Sequence, residues 1–478
     1  MAAKQAGVSM YELMERAGVA VFHSLRSHFS NARNLLVLAG KGNNGGDAYV
    51  VARLAMQQGM QVTVCEFAEV EQLTKDATAA RDLLMAKGVV PTAWQEIIVA
   101  DYDLCIDGLL GTGLSGPVRT PLDGVIQQIN FSGIPVLSID IPSGLDADTG
   151  SVCGVAIQAS HTMTFVGIKS GLVTGVGRQY TGELHFDDLG IGYEFQRLAE
   201  FRGRVFDFQA LRPLPKRDLY SHKGTFGKLV CIGGNVGMPG SIRLTGEAAL
   251  RSGAGLVKVF CHQDSAMSVM SGRPELMVEH RDEHLREILS WCTTIVIGPG
   301  LGRDEWSMKT LKVVLDHALE KHKPIVIDAD ALNLYAQNRR FILPKHLAII
   351  TPHPAEASRI LKCSVKDVEA NRYAVAKTLA NQYDCVALLK GAGSIVASQD
   401  NFWVCDNGNP GMATAGMGDV LSGVLGALLA QGMGLRLSAV YGMCLHSYAG
   451  DLASIEHGER GMLAGDLFPH IRQLINHR

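Results

Sequence analysis

The sequence lacks the features that mark several large classes of protein. Its charges are nearly balanced, with 44 lysines and arginines against 47 aspartates and glutamates, and no long run carries one sign. We therefore expect no nucleic-acid partner, because such binding usually needs a basic surface. The 10 cysteines include no C-x-x-C pair and no Cys/His cluster at zinc spacing, which predicts reduced thiols, no disulfide and no structural metal ion.

The sequence also shows neither the pattern of a membrane span nor that of a secretory signal. No apolar run approaches the length of a membrane span. The first residues, MAAKQAGVSMYELMERAG, follow an amphipathic helical pattern with acids at positions 12 and 15, unlike a signal peptide. We therefore expect no membrane partner and a cytoplasmic location.

The pattern of apolar runs indicates the fold class. A chain of 478 residues is too long for one ordinary core, and its length alone predicts two or three domains. Short apolar runs rich in β-forming residues alternate with longer helical patterns, which predicts parallel sheets covered by helices. These runs are NLLVLAG, QVTVCEF, YDLCIDGLLG, IPVLSIDIPSG, GKLVCIGG, LVKVF, TTIVIGPG, KPIVIDAD, AIITPHP and CVALLKG. Prolines 213 and 215 break the pattern, which predicts domains over 1–205 and 206–478 with a linker at 206–215.

A glycine-rich turn follows the first predicted strand. The segment GKGNNGGD, residues 40–47, satisfies G-x-G-x-x-G between a strand and a helix, and Glu66 ends the next strand, as in dinucleotide-binding proteins. The turn is more polar than a phosphate needs, so Asn43, Asn44 and Asp47 are candidates for holding a further ligand. The ordinary alternative is an Asn/Gly turn in which Asp47 caps the helix.

Polar residues also follow two other predicted strands of the first half. A second G-x-G-x-x-G, residues 111–116, comes after a strand that ends near Asp107. The next strand ends in IDIPSG, where Asp140 is a candidate general base. Asn44, Asp107 and Ser143 carry the hard oxygen donors that alkali and alkaline-earth cations prefer. Each is an ordinary turn residue when taken alone, but their place at one sheet edge favours a site.

In the second half, NPGMATAGMGDVLSG places glycines and Asp419 before an apolar helical run. The free N–H groups and dipole of such a helix start favour a phosphate. Asp419 either caps the helix or removes a proton from a group that attacks the phosphate, and both readings stay open. No Walker loop is present, but backbone amides of KGAGS, together with Lys390, could hold a nucleotide. His353, in TPHPAE, is more often structural than catalytic when taken alone.

These motifs resemble two known families. GTFGKLVCIGG, GPGLG, IDADALN, TPHPAE, KGAGS and NPGMATAGMGD resemble the ribokinase-like domain of NAD(P)H-hydrate dehydratases, and ELMERAG, GKGNNGGD, DGLLGTGLSGP and DIPSGLDADTG resemble the NAD(P)H-hydrate epimerase domain. In this order on one chain they are similar to the bifunctional NAD(P)H-hydrate repair enzymes of prokaryotes. The resemblance implies an α/β protein in which a Rossmann-like three-layer domain precedes a ribokinase-like α/β domain.

The resemblance also implies an activity. The first domain would epimerise the R and S forms of NAD(P)H hydrate, and the second would dehydrate the S form with ADP as co-substrate, giving NAD(P)H, AMP and phosphate. Asp419 would deprotonate the C6 hydroxyl of the hydrate, and Asp140 would be the acid or base of epimerisation. Mg²⁺ would accompany the nucleotide, and we expect small-molecule partners and a homo-oligomer.

Binding residues follow from the same resemblance. In the first domain the hydrate would contact Asn43, Asn44, Gly45, Gly46, Asp47, Gly111, Thr112, Gly113, Leu114, Ser115, Gly116, Pro117 and Asp140, and a potassium ion would bind Asn44, Asp107 and Ser143. In the second domain the hydrate would contact Gly255, Gly302, His353 and Asp419, and the nucleotide would contact Lys390, Gly391, Ala392, Gly393, Ser394 and Gly418.

Some residues depart from the family pattern, and two other functions stay open. Ala355 stands where the dehydratase motif usually has glycine, and Met417 stands where sugar-kinase relatives commonly have threonine or alanine. Neither difference removes a reactive group. The chain also begins closer to ELMERAG than is usual, which predicts weaker packing or dimerisation if a leading segment is missing. One alternative is an ATP-dependent vitamin or sugar kinase, since that superfamily shares the GxGD helix start. The other is a first domain that acts only as a binding scaffold.

Overall fold

The computed structural model describes residues 1–199, 203–399 and 401–476. The chain divides into two compact units between residues 201 and 202. Each unit has a central sheet in which parallel pairing predominates, which confirms the predicted α/β class. No helix among the described residues is both long and apolar enough to cross a membrane.

The first unit contains six strands and seven α-helices in its described residues. The strands are β1 (Asn34–Ala39), β2 (Gln61–Glu66), β3 (Leu104–Gly108), β4 (Val136–Ile139), β5 (His161–Phe165) and β6 (Glu183–Asp187). The helices are α1 (Ala2–Gln5), α2 (Met10–His28), α3 (Asn43–Gln57), α4 (Lys75–Met85), α5 (Leu122–Ser132), α6 (Gly175–Thr181) and α7 (Gly192–Leu198). The sheet order is β2-β1-β3-β4-β5-β6, and every pairing is parallel.

Both faces of this sheet are buried, as the apolar strand β1 shows. Leu35, Val37 and Ala39 of β1 belong to one apolar core, whereas Leu36 and Leu38 belong to a second core on the other face. Side chains alternate between the two faces of a strand, so an uninterrupted apolar run is what a sheet covered on both sides requires. The first unit is therefore a three-layer structure, as predicted.

The second unit contains ten strands and eleven α-helices in its described residues. The strands are β7 (Gly203–Phe206), β8 (Lys228–Ile232), β9 (Leu256–Phe260), β10 (Met277–Glu279), β11 (Thr294–Ile297), β12 (Ile325–Ile327), β13 (Ala348–Ile350), β14 (Val386–Leu389), β15 (Ile395–Ser398) and β16 (Asn401–Cys405). The helices are α8 (Pro239–Arg251), α9 (Ala266–Gly272), α10 (Leu285–Trp291), α11 (Glu305–Lys321), α12 (Ala329–Gln337), α13 (Pro354–Leu361), α14 (Val365–Ala370), α15 (Arg372–Tyr383), α16 (Met417–Ala430), α17 (Leu435–His457) and α18 (Leu467–Ile475).

The second sheet has the order β10-β9-β8-β11-β12-β13-β14-β15-β16-β7. β15 pairs antiparallel with β14 and with β16, and the other pairings are parallel. The predicted boundary places residues 203–205 in the first domain, but the structure pairs them with β16 in the second sheet. Strand β7 was not recognised in the sequence, because its GRVF is short and lies beside a segment with little periodicity.

The turn after β1 brings two backbone segments of the first unit into contact, and this contact predicts a stability effect. A Cβ atom added at Gly40 would overlap the Leu109 carbonyl oxygen, whereas one at Gly42 would meet no atom within 4 Å. Gly40→Ala is expected to destabilise the first unit by ~2–4 kcal/mol, since the rigid backbone must move. Gly42→Ala, the matched control, should lower the free energy of unfolding of the first unit by about 1 kcal/mol or less.

Hydrogen exchange of peptides from β1 and β3 would measure the difference. Faster exchange in the Gly40 variant than in the Gly42 variant is expected. Equal exchange in the two variants would contradict the close approach of Gly40 to Leu109.

Candidate active sites

The carboxyl ends of β1, β3 and β4 bring polar residues of the first unit together. The fully buried Asp107 carboxylate accepts hydrogen bonds from the Ser143 amide (2.9 Å) and hydroxyl (2.5 Å) and from the Ser138 hydroxyl (2.8 Å). The Ser143 hydroxyl oxygen accepts a hydrogen bond from the Leu110 amide (2.8 Å), and the Asn44 amide group donates to the Leu110 carbonyl (2.9 Å). Asn44, Asp107 and Ser143 thus belong to one hydrogen-bond network.

This network has the chemistry of a cation site. Within the described part of the chain, the Asp107 carboxylate has no cationic side chain as a hydrogen-bond or ion-pair partner. Burial raises the pKa of Asp107, and hydrogen bonds from Ser143 and Ser138 oppose that rise. A buried carboxylate with only neutral donors gains stability from a cation. The carboxylate, hydroxyl and amide oxygens present are suited to a hard cation such as potassium.

Asp140 lies beside this network, directly after β4, in a left-handed backbone conformation with φ of 64°. Its Oδ1 atom accepts hydrogen bonds from the Lys169 ammonium, the Thr164 hydroxyl (3.2 Å) and the Phe165 amide (3.1 Å). No described group donates a hydrogen bond to Oδ2, so this oxygen is available to a substrate. A strained backbone at a polar strand end is typical of functional sites.

Lys169 is a residue that the sequence analysis missed. It lies four residues after β5, a strand that was itself overlooked because HTMTF contains two threonines and a histidine. Besides Asp140, its ammonium donates to the Thr164 hydroxyl (3.2 Å) and the Phe165 carbonyl (2.9 Å). A lysine among glycines in GIKSG, after a strand, is the signal that could have indicated it.

The NNGGD segment forms the start of α3 rather than a free turn. Gly42 is the N-cap of α3, so Asp47, the fifth residue of the helix, does not cap it. Asn44 and Asp47 are three residues apart and both are buried. Burial raises the pKa of Asp47 well above its usual range, the Asp140 charge adds to the rise and Lys169 opposes it. Asp47 therefore lies within the electrostatic influence of both Asp140 and Lys169.

The second glycine loop connects β3 to α5 and is half-buried or exposed over residues 110–117. Its beginning lies at the same edge, since a Cβ atom at Gly111 would be 3.5 Å from the Asn44 Cβ. At Gly113 and Gly116 no atom lies within 4 Å of an added Cβ. Thr112, Leu114, Ser115 and Pro117 belong to this loop. The structure thus places the start of the loop beside Asn44 and leaves its middle open.

In the second unit, Asp419 is the third residue of α16 and is not its cap. Gly416 is the N-cap, with φ of 90°, a conformation in which glycine is favoured. The Asp419 carboxylate accepts a hydrogen bond from the Ser241 hydroxyl in the first turn of α8. Burial and the negative charge of Asp328 raise the pKa of Asp419 to about 6, with Ser241 and Lys390 opposing the rise. Gly416 rather than Asp419 therefore caps α16, and the general-base role of Asp419 stays a prediction.

Lys390 lies among the carboxylates of this site. Its ammonium donates a hydrogen bond to Asp328 Oδ1 (2.8 Å) and lies 4.0 Å from Glu356 Oε2. Burial lowers the pKa of Lys390, but Asp328 and Glu356 more than offset this and the net shift is upward, so the ammonium stays charged. A Cβ atom at Gly418 would lie 3.3 Å from the Lys390 Nζ. Lys390, Gly418 and Asp419 are thus brought together.

Asp328 links these elements, although the sequence analysis left it out of the site. It follows β12 directly and is almost fully buried. Its second carboxylate oxygen accepts a hydrogen bond from Ser422 of α16 (2.8 Å). Its strand-end position was visible in IDAD, but its partners come from β14 and α16 and could not be read locally.

His353 is the N-cap residue of α13. Its Nδ1 atom accepts a hydrogen bond from the Ala355 amide (3.2 Å), and its own amide donates to Glu356 (2.9 Å). Burial lowers the pKa of His353, and the nearby Lys390 charge lowers it further. Burial also raises the pKa of Glu356 to about 7, which Lys390 opposes. Only the backbone of Ala355 takes part, so the usual glycine is not needed for this cap.

Two further segments complete the carboxyl edge of the second sheet. The Gly302 amide donates to Asp330 (3.0 Å), whose charge contributes to the raised pKa of Asp419. Residues 390–394 form the turn between β14 and β15, where the Gly391 amide donates to the Ser394 hydroxyl (3.2 Å). Ala392 and Gly393 are the middle residues of this turn. Arg372, which is buried and was not predicted, donates to the Lys390 carbonyl (3.1 Å) and supports the turn.

Gly255 is the predicted site residue that the structure does not bring to Asp419. It directly precedes β9, at the amino edge of the sheet, and its amide donates to the Phe226 carbonyl (3.0 Å). A cavity of about 1190 Å³ lies at this edge, with Phe226 and Gly253 in its lining. Since Asp419, Lys390 and their partners lie at the opposite ends of the strands, the size of this cavity does not mark the reactive site. Ser241, not Gly255, is the residue of this stretch that contacts Asp419.

Comparisons with known proteins agree with this architecture. The family described as NAD(P)H-hydrate dehydratase matches residues 229–473, and the family described as YjeF-related protein N-terminus matches residues 10–171. A bifunctional NAD(P)H-hydrate repair enzyme of Escherichia coli K12 is 45% identical, covering 99% of this chain and 91% of the relative. The chain belongs to the family of bifunctional NAD(P)H-hydrate repair enzymes.

Two further matches support membership of this repair-enzyme family and its fold. A repair enzyme of the same name from Coxiella burnetii is 42% identical, over 99% of this chain and 96% of its own length. A solved ribokinase-like superfamily protein from Enterococcus faecalis matches with a TM-score of 0.53 and 28% identity, over 58% of this chain and 97% of that chain. The ribokinase-like fold expected for the second unit is thereby confirmed.

Proposed function

We propose that this protein repairs hydrated NADH and NADPH with two active sites. The first unit interconverts the R and S epimers of the hydrate, and the second dehydrates the S epimer with ADP, giving NAD(P)H, AMP and phosphate. The observation that carries the proposal is Asp419, which lies in the first turn of α16 beside Lys390 without capping the helix. A carboxylate with a pKa of about 6 at a helix N-terminus is a general base next to a phosphate-binding position.

In the second unit, Asp419 would take the proton of the C6 hydroxyl. The hydroxyl oxygen would then attack the β-phosphorus of ADP, and AMP would leave with the electrons of the bond that breaks. Amides at the start of α16 and the Lys390 ammonium would stabilise the charge on the phosphoryl oxygens. The ring nitrogen would next expel phosphate from C6, and loss of a proton from C5 would restore the reduced nicotinamide.

In the first unit, epimerisation requires C6 to become planar and to be attacked on its other face. Asp140 would give a proton to the departing hydroxyl and take one from the water that returns, with Oδ2 as the reacting oxygen. Lys169 would position this carboxylate through Oδ1. Asn43 to Asp47, together with residues 111–117, would contact the hydrate at the same sheet edge.

Metal ions would have different roles in the two units. We propose that potassium binds Asn44, Asp107 and Ser143, where a buried carboxylate lacks a cationic side-chain partner in the described chain. It would order the loop that contacts the hydrate. Mg²⁺ would be held mainly by the phosphates of the nucleotide, because Asp328 is bound by Lys390 and Ser422. We further propose a homo-oligomer, and a location in the reducing cytoplasm, where the cysteines of the described residues, none of which forms a disulfide, would stay reduced.

Recovery of the reduced-nicotinamide absorbance from mixed-epimer NADH hydrate tests the whole proposal. Complete recovery with ADP, faster than spontaneous epimerisation, is expected, and less recovery is expected with ATP or with no nucleotide. Replacing potassium by choline should slow only the phase that depends on epimerisation. Recovery that stops at the amount of one epimer would show that the first unit does not epimerise the hydrate. Phosphorylation of a vitamin or sugar without any recovery would favour the kinase alternative.

A further inference from the structure

The amino edge of the first sheet carries a group of side chains that the repair reaction does not use. These are His28, His161, Glu183 and His185, here called the histidine cluster. One nitrogen or oxygen atom from each of the four lies within 4.8 Å of the corresponding atoms of the others. We propose that the histidine cluster binds one divalent transition-metal ion of the Zn²⁺ class.

The topology of the first unit places these side chains on one face. β5 and β6 are parallel neighbours, with His161 paired in register with Glu183. Glu183 and His185 are two residues apart on β6, so they project to the same side as His161. His28 is the last residue of α2 and reaches the strands from the helix. Three separate elements therefore converge at one point.

The imidazole rings are close enough to share one ion. His161 Nδ1 and His185 Nε2 are 2.8 Å apart, and the two rings are stacked with an interplanar angle of 8°. The His28 ring lies 4.3 Å from the His185 ring and 4.8 Å from the His161 ring, between centroids. Two nitrogens bound to one tetrahedral zinc ion are about 3.3 Å apart. Side-chain rotations that increase the distance between these two nitrogens by about half an ångström would therefore let both bind one metal ion in place of their hydrogen bond.

The donor types select the kind of metal. Imidazole nitrogens with one carboxylate oxygen suit zinc, copper, nickel or cobalt, whereas magnesium and calcium prefer sites made of oxygen donors. Glu183 lies 3.8 Å from both His161 and His185, within reach as the anionic ligand.

The proposed metal site is distinct from the epimerase site. His161 begins β5, whereas the residues of β5 that hydrogen-bond to Asp140 are Met163, Thr164 and Phe165. Four residues of strand separate the two ends by about 13 Å. Bound metal would join the end of α2 to the edge strands β5 and β6. Its expected consequence is stabilisation of the first unit, because the ion binds only when the three elements are in place.

Titration of the metal-free full-length protein with Co²⁺ tests the proposal directly. Tetrahedral cobalt absorbs visible light, and we expect a saturable band at one equivalent that Zn²⁺ displaces. His28→Gln removes an exposed ligand without disturbing a core, and should weaken binding by at least about tenfold. His23→Gln changes an exposed histidine of the same helix outside the cluster, and should leave binding unchanged.

Thermal unfolding with and without Zn²⁺ gives a second readout. The melting temperature should rise with Zn²⁺ in the original protein and in the His23 variant, but not in the His28 variant. His457→Gln controls for a separate group in the second unit, where His457 and His470 lie near Glu456. Absence of saturable cobalt binding, or binding that the His28 change leaves intact, would overturn the proposal, as would loss of the band with His457→Gln alone.

Discussion

Asp419→Asn is expected to reduce ADP-dependent dehydration of the S epimer by about 10²- to 10⁴-fold, the usual contribution of a general base. The change keeps the size of the side chain and its capacity to accept a hydrogen bond from Ser241, but removes the ability to take a proton. Measurement of kcat with pure S-hydrate and saturating ADP would show the loss. Epimerisation by the first unit provides an internal control, since its site is built from other residues.

The pH profile gives this prediction a second test. Asp419 acts as a base only when ionised, and burial together with Asp328 raises its pKa to about 6. The rate should therefore be nearly constant above that value and fall about tenfold for each pH unit below it. The residual rate of the Asn variant should lack this inflection. A variant that retains most of its activity, or an unchanged inflection, would contradict the assignment.

Asp140→Asn is expected to slow epimerisation by about 10²- to 10⁴-fold while dehydration of S-hydrate continues. Asn is the suitable replacement because position 140 has φ of 64°, a conformation that Asn tolerates better than most residues. Asp148→Asn changes an exposed carboxyl in the loop after β4 and serves as the matched control, with a change of less than about threefold.

Recovery of NADH from mixed-epimer hydrate, with dehydratase activity in excess, would measure the Asp140 effect. With the variant, recovery of NADH should stop near the amount of S-hydrate supplied and then follow spontaneous epimerisation. Full and rapid recovery of NADH would show that epimerisation does not need Asp140. Normal dehydration in the same sample would show that the second unit is folded and active.

The sequence predicted best those features that depend on short segments. The ten apolar runs became strands because a short run rich in β-forming residues and bounded by turn residues is too short for most helices. The helix start at Asp419 was also visible, since glycines directly before an apolar helical pattern mark a helix N-terminus. Strands such as β5 and β7 were missed because they are short or polar, and only their neighbours in the sheet stabilise them.

Site residues that act through distant partners were harder to predict. Lys169 became relevant only when β5 was placed beside β4, and Asp328 only when Lys390 and Ser422 approached it from β14 and α16. Gly255 illustrates the opposite case, because its motif lies close in sequence to Ser241 while a helix and a loop carry it to the other edge. Distance along the chain is a poor measure of distance across a sheet.

The sequence by itself determined the α/β alternation, the glycine turns at the strand ends and the two acids, Asp140 and Asp419, that are best suited to move protons. The tertiary structure decided which charges meet. It decided that Lys390 lies among carboxylates and that Asp419 has a raised pKa, because burial and neighbouring charge depend on residues far apart in the chain. It also assembled the histidine cluster from α2, β5 and β6, although no spacing of histidines in the sequence indicated a metal site.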